Sequence, residues 1–161
     1  MKSISIKQQF LAFDLAEDLH CMTSTEFLLE VTTFRVEQIL PILNLPQMVM
    51  GLSNYRSEIL SIIDLPALLG LPGFYTKREQ QFFNTIVVKH NSKIAGLAVP
   101  YIGQLFHAKP TEMQTSYPQR IPNALRKCTS NTYHPIKGKD MLVIDLGQLF
   151  AILENKRAIE L

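Results

Sequence analysis

Apolar side chains recur at every second position over much of this chain, the period of a strand with one buried face. Leu11, Phe13 and Leu15 alternate with Ala12 and Asp14, which predicts a first strand over residues 10–15. Residues 20–25 read as a polar interruption. Residues 27–39 hold Val31, Thr32, Thr33, Phe34 and Val36, a β-branched and aromatic run that predicts one long strand. Phe34, Val36 and Gln38 would share one of its faces, and Arg35, Glu37 and Ile39 the other. Pro41 and Pro46 bracket a connection that cannot be a central strand.

Residues 48–55 and 58–65 predict two strands joined at Asn54-Tyr55-Arg56-Ser57, where short polar side chains suit a tight turn. Pro66 can open a short helix, because its missing N–H is an orphan at that position anyway, and Gly70 and Pro72 end it. Residues 82–89 and 93–99 form a second hairpin around His90-Asn91-Ser92, with Gly96 expected to mark a bulge. Residues 101–107 continue as a strand, while the proline-rich, polar stretch 109–123 takes no assignment. Residues 133–136 and 141–146 predict closing strands around a turn at 137–140. Leu149, Ile152 and Leu153 then stand at helical spacing in a final helix over residues 147–156.

One phrase occurs twice. Ile62-Ile63-Asp64-Leu65-Pro66-Ala67-Leu68-Leu69 returns as Val143-Ile144-Asp145-Leu146-Gly147-Gln148-Leu149-Phe150, each an apolar run, an Asp-Leu pair and two apolar residues at helical spacing. The offset of 81 residues (145 minus 64) is far longer than a solenoid repeat. Either two strand-to-helix junctions are alike by chance, or the chain holds two related β-rich lobes. In the second case the polar, basic segment 73–81 marks the approximate lobe boundary within a single domain over residues 1–161.

Composition narrows the function classes. With 47% hydrophobic and 19% charged residues the chain is globular and long enough for a substantial core. A net charge of +2 and short basic clusters at Lys77-Arg78, Arg126-Lys127 and Lys137/Lys139, with no aromatic interleaving, argue against nucleic acid. No apolar run reaches the roughly 18–20 residues that cross a bilayer. Asp14, Glu17 and Asp18 break the N-terminal apolar run, unlike a signal peptide. Cys21 and Cys128 form no C-x-x-C pair, so neither a zinc knuckle nor a redox site is indicated. These features predict a reduced, cytoplasmic protein with no direct membrane insertion.

Catalysis needs a convergent set of groups, and the sequence supplies none. His20, His90, His107 and His134 sit in unrelated loops or strand ends, without an H-E-x-x-H pair. His20 and its neighbour Cys21 would point to opposite sides of an extended chain. Asp64 and Asp145 each follow an apolar strand and precede a helix, where a carboxylate serves as an N-cap rather than in an acid–base pair. The expectation is a non-enzyme with no catalytic residue, cofactor or metal.

Val36-Glu37-Gln38-Ile39, Pro46, Gly51, Asn54-Tyr55-Arg56-Ser57 and Ile62-Ile63-Asp64-Leu65 together resemble the CheW-like domain of bacterial chemosensory coupling proteins. That family carries a V-x-E-I strand and an N-L-R-G turn before an apolar strand ending in Asp-Leu. Ile94-Ala95-Gly96-Leu97-Ala98-Val99 is similar to its G-x-x-V strand, and residues 141–150 to its closing strand and helix. The resemblance runs over roughly residues 9–153. It implies a mainly β fold of two small intertwined five-stranded β-barrel lobes with short helices, including a C-terminal one.

The resemblance also implies a job: a chemosensory adaptor that couples chemoreceptors to a CheA-type histidine kinase, in chemotaxis or in pilus-driven twitching motility or phototaxis. Its partners would be the kinase's regulatory domain, which shares the fold, and the tip of a methyl-accepting chemoreceptor held in the groove between lobes. The partner surface would include Val36, Ile39, Gly51, Asn54, Tyr55, Arg56 and Ser57. Here Tyr55 and Ser57 replace the leucine and glycine of the family's turn, and Gln38 replaces a glutamate. If that glutamate pairs with the turn's arginine, Arg56 has lost its usual partner.

Several residues keep two readings. Arg56 offers a guanidinium to a partner's carboxylate, or pairs internally with Glu58 or Glu37. Tyr55 is an interface anchor or the cap of a barrel, and Val36 and Ile39 line a groove or fill the core. Phe74-Tyr75 and Phe82-Phe83 are exposed apolar surface or packing between lobes. Two other functions stay open: a small-ligand-binding sensor domain with a pocket between the lobes, and a module that only oligomerises.

Overall fold

The computed structural model describes residues 6–75, 80–115, 120–135 and 138–159. Lys77, Arg78, Ile136 and Lys137, together with part of the stretch 109–123, lie outside them. Four strands appear where the sequence predicts hairpins: β4 (Val49–Tyr55) with β5 (Glu58–Asp64), and β6 (Phe82–His90) with β7 (Lys93–Val99). β1 (Gln8–Ala16) and β8 (Tyr101–Ala108) also fall as expected, and the helices α1 (Leu65–Leu68) and α3 (Leu146–Asn155) follow the two Asp-Leu pairs. Both aspartates are N-caps. Asp64 accepts from the Ala67 N–H and Asp145 from the Gln148 N–H, each at 3.2 Å.

Other segments differ from expectation. Residues 20–25 are not an interruption, because β2 (Leu19–Ser24) pairs with β1 and buries Cys21, Met22 and Thr23. Its polar side chains are satisfied inside the fold: Asp14 holds His20 at 2.7 Å, and Thr23 donates to the Ile144 carbonyl. The long strand over 27–39 ends early. β3 (Leu28–Arg35) passes into a 3-10 turn over Val36–Gln38, which turns Ile39 inward beside Phe34 and leaves Val36 partly exposed. An unforeseen helix, α2 (Asn123–Cys128), precedes β10 (Thr129–Tyr133), so that strand lies earlier than expected; β11 is Met141–Ile144. Gly96 is no bulge. A Cβ there would stand 2.9 Å from the Ile62 side chain, so the glycine lets β7 lie close beside β5.

The strands form two sheets of one design. The first runs β8-β1-β2-β11-β10 with a short sixth strand beyond β10, and the second β3-β6-β7-β5-β4. In each, an edge strand lies antiparallel to a hairpin, the hairpin's second strand runs parallel to the strand that carries the Asp-Leu phrase, and a second hairpin completes the order. The duplicated phrase is therefore a structural repeat. Even the bulges correspond, at Val49/Gly51 on β4 and Thr129/Asn131 on β10.

The repeat extends to the way each sheet closes. After β3, the Gln38 side chain accepts from the Arg35 N–H at 2.8 Å, and Leu40 then bridges to Leu52 on the far edge strand, β4. After β8, a 3-10 turn over Pro110–Glu112 carries the same cap, Glu112 to the Lys109 N–H at 3.4 Å, and β9 (Met113–Gln114) then pairs with β10. Each sheet is thus curled into a small barrel.

The chain visits the lobes in a nested order. It starts the first lobe with β1 and β2, builds the whole second lobe from β3 to β7, and returns to finish the first. The segment 73–81 joins β5 to β6 within one sheet, so it is not the lobe boundary. The crossings fall after β2 and after β7, because the first lobe needs strands from both ends of the chain. Phe74 and Phe83 pack inside the second barrel rather than between lobes, and Phe82 lies exposed under the Arg35 guanidinium.

Gly51 sets the closure of the second barrel. Its φ is 153°, and a Cβ would overlap the carbonyl oxygen of Leu40. Gly51→Ala is expected to lower folding stability by about 3 kcal/mol, read as an earlier urea midpoint. A wild-type midpoint would show that Leu40 need not sit so close.

Candidate partner interface

The β4–β5 hairpin turns through two residues, Arg56 and Ser57, whose φ angles are 46° and 68°. Two positive angles in succession are what a type I′ hairpin turn demands, and glycine tolerates them best. Ser57 thus keeps the turn while bearing local strain. The twist of the hairpin brings Tyr55 to the mouth of the barrel, with its ring inside and 9% of the residue exposed.

There Tyr55 meets a residue from the opposite edge strand. Its hydroxyl donates to Glu30 Oε2 on β3 at 2.6 Å, and the Arg56 guanidinium reaches the same oxygen at 3.3 Å while lying 5.3 Å over the Tyr55 ring. Arg56 therefore pairs with neither Glu58 nor Glu37. The short phenol–carboxylate bond is charge-assisted and ties the edges of the barrel together. The ion pair is open to water, with side chains 73% and 36% exposed, so it adds at most about 1 kcal/mol and leaves Arg56 available to a partner.

The outer face of the same hairpin is apolar. Asn54 and Ile59 form a cross-strand pair pointing outward, and Leu52 in the next row bridges to Leu40. Ile59 is 72% exposed and Leu40 63%. The chain then runs through Ile42 into Leu43, which is 90% exposed at Asn44, a residue in the left-handed region. Apolar side chains this exposed make this face a candidate interaction surface.

Of the seven expected partner residues, Asn54, Arg56 and Ser57 stand exposed on the hairpin, and Val36 is partly exposed at the start of the 3-10 turn. Ile39, Gly51 and Tyr55 are buried. These three are therefore not partner-facing: Gly51 makes room for the Leu40 carbonyl, and Tyr55 holds Glu30. Sequence reasoning missed Glu30, Leu40, Ile42, Leu43 and Ile59. The segment Leu40-Pro41-Ile42-Leu43-Asn44-Leu45-Pro46, mostly apolar yet barred by its prolines from a central strand, is the signal that points to Leu40, Ile42 and Leu43. Glu30 has no local signal, because only barrel closure brings it to Tyr55.

Chemistry elsewhere is sparse. Burial, reinforced by the charge of Asp14, pushes the Cys21 thiol far up; burial with the charge of Asp145 pushes Cys128 up to about 12. Both stay protonated and inert at neutral pH. Among the described residues no group of three or more His, Cys, Asp or Glu is placed to hold a metal, and no helix is long and apolar enough to cross a membrane.

Comparison with known proteins adds the following. The CheW-like domain family model matches residues 9–154. The scaffolding protein TtCheW from Thermoanaerobacter tengcongensis shares the fold, with a TM-score of 0.71 and 19% identity over 87% of this chain and 90% of that one. No curated protein sequence matches the chain.

The Tyr55–Glu30 bond has a pH signature. That bond above all, then burial and the Glu30 charge, raises the phenol's pKa, while Arg56 pulls it down. A phenol raised in the folded state stabilises the fold below its unfolded pKa of about 10, and the contribution is lost as pH rises through the folded value. Phenolate absorbance is expected to show a late-titrating tyrosine, absent in Tyr55→Phe and shifted to lower pH in Glu30→Gln. An unchanged titration in both variants would contradict the assignment.

Proposed function

The chain belongs to the CheW-like domain family, and on that premise we propose that it is a non-enzymatic adaptor joining chemoreceptors to a CheA-type histidine kinase. The observation that carries the reading is the β4–β5 face, with Arg56 at the hairpin tip beside exposed Ile59, Leu40 and Leu43. A kinase regulatory domain of the same fold would lay a barrel edge on this strip. Its core would be aliphatic, and Arg56 would supply a rim contact to a carboxylate. The arginine has kept a charged neighbour despite the change at Gln38, since Glu30 takes that place. The setting is a chemosensory array of flagellar chemotaxis, or of pilus-driven twitching or phototaxis.

A receptor tip would use a different face. Leu29 and Val31 on β3 are 46% and 41% exposed, and Val31 stands opposite Ile86, which belongs to the apolar layer between the lobes. That layer therefore opens to the surface along β3. The seam can take an amphipathic helix laid along it.

Pull-down with the regulatory domain of the host's own CheA-type kinase, and separately with a chemoreceptor tip, tests both surfaces. Arg56→Glu and Ile59→Asp are each expected to weaken kinase binding by at least about tenfold with an unchanged melting temperature. Val31→Asp is expected to weaken receptor binding alone. Kinase binding untouched by both hairpin variants would overturn the assigned surface.

A further inference from the structure

The other lobe has a cavity of about 610 Å³ at its own hairpin end, within the range of small-ligand sites. It is formed where the β1–β2 turn, the end of β10 and the start of β11 meet the chain leaving α1 and the chain entering α2. Its apolar lining comes from Leu19, Leu71, Ile121, Pro122, Met141 and Leu142, and its polar lining includes Asp18, His20, Arg120 and His134.

The polar groups differ in how much of their bonding is used. His134 is committed on both ring nitrogens, with Asp140 at 2.7 Å on Nδ1 and the Thr132 hydroxyl at 3.4 Å on Nε2. His20 uses Nδ1 toward Asp14 at 2.7 Å, and the tautomer that donates there turns Nε2 into an acceptor facing the cavity's polar side. Arg120 and Asp18 line the same space, yet they pair neither with each other nor with any other described residue. Two opposite charges that line one apolar cavity without pairing match a ligand that carries both charges. A metal ion does not fit, since no group of ligating side chains is placed for one among the described residues. A polyanion does not fit either, because a single arginine is set among carboxylates.

We propose that this cavity binds a free α-amino acid with an aliphatic side chain. Arg120 takes the carboxylate through its fork of N–H donors, and Asp18 with His20 Nε2 accepts from the ammonium group. Leu19, Leu71, Ile121 and Leu142 receive the side chain. The site is separate from the β4–β5 face, so it stands or falls independently of the adaptor reading.

Isothermal titration calorimetry of the full chain with L-leucine and L-methionine tests the proposal. One-to-one binding is expected. Isocaproate, which lacks the amine, and isoamylamine, which lacks the carboxylate, should each bind at least about tenfold more weakly. Arg120→Ala should weaken leucine by a similar factor and leave isoamylamine unchanged, while Asp18→Asn should weaken leucine and leave isocaproate unchanged. Both residues are exposed, so an unchanged melting temperature accompanies each variant. No binding of either amino acid tighter than about 1 mM would overturn the proposal. So would equal binding by the analogues, or leucine affinity untouched by both substitutions.

Discussion

A small barrel that fills only its own interior leaves the outside of its sheet wet, and in this protein that outside is apolar. Ile63, Ile86, Val88, Leu97 and Val99 of the second lobe face Leu11, Phe13, Cys21, Leu142 and Ile144 of the first, with Leu68, Leu149 and Phe150 from the helices packed among them. Among the described residues, 23 buried side chains belong to this shared layer, against 10 inside the second barrel and 4 inside the first. At about 1.5–3 kcal/mol for each fully buried aliphatic side chain, the layer outweighs either interior. The first lobe in particular cannot stand alone. The parallel pairs β5–β7 and β2–β11 lie where both sheet faces are covered, which is where parallel strands are stable.

That shared layer leaves the far ends of the lobes free to differ. The second closes with a two-residue hairpin and the Tyr55–Glu30 bond, which sets Arg56 over a flat apolar strip. The first closes with Phe106 stacked on Tyr133 at 5.9 Å and a longer connection between β10 and β11. A tight hairpin makes a surface, whereas the longer connection borders a cavity together with the chain leaving α1 and the chain entering α2. One scaffold thus presents an apolar surface at one end and a cavity at the other.

Those parts of the fold that local chemistry dictates were legible in the sequence. The Asp64 and Asp145 caps, the turn at Arg56-Ser57 and the final helix each follow from residues a few positions apart. Residues 20–25 misled because their polar groups find partners far along the chain, Thr23 at Ile144 for instance. The strand over 27–39 kept its β-branched pattern past Arg35, but the Gln38 cap bends the backbone there. The lobe boundary was misplaced because a polar, basic segment signals only a loop. Which sheet that loop serves depends on pairing between strands at opposite ends of the sequence. At the candidate interface, Arg56 was visible from its turn, while Glu30 and Ile59 required the closed barrel.

The central claim is that the second lobe's hairpin face is where the adaptor meets its kinase. Hydrogen–deuterium exchange of the full chain, with and without the kinase regulatory domain, tests it directly by reading backbone protection along the sequence. The account predicts new protection over residues 40–43 and 54–59 and none over 132–142. Protection confined to the first lobe, with the hairpin unchanged, would contradict it.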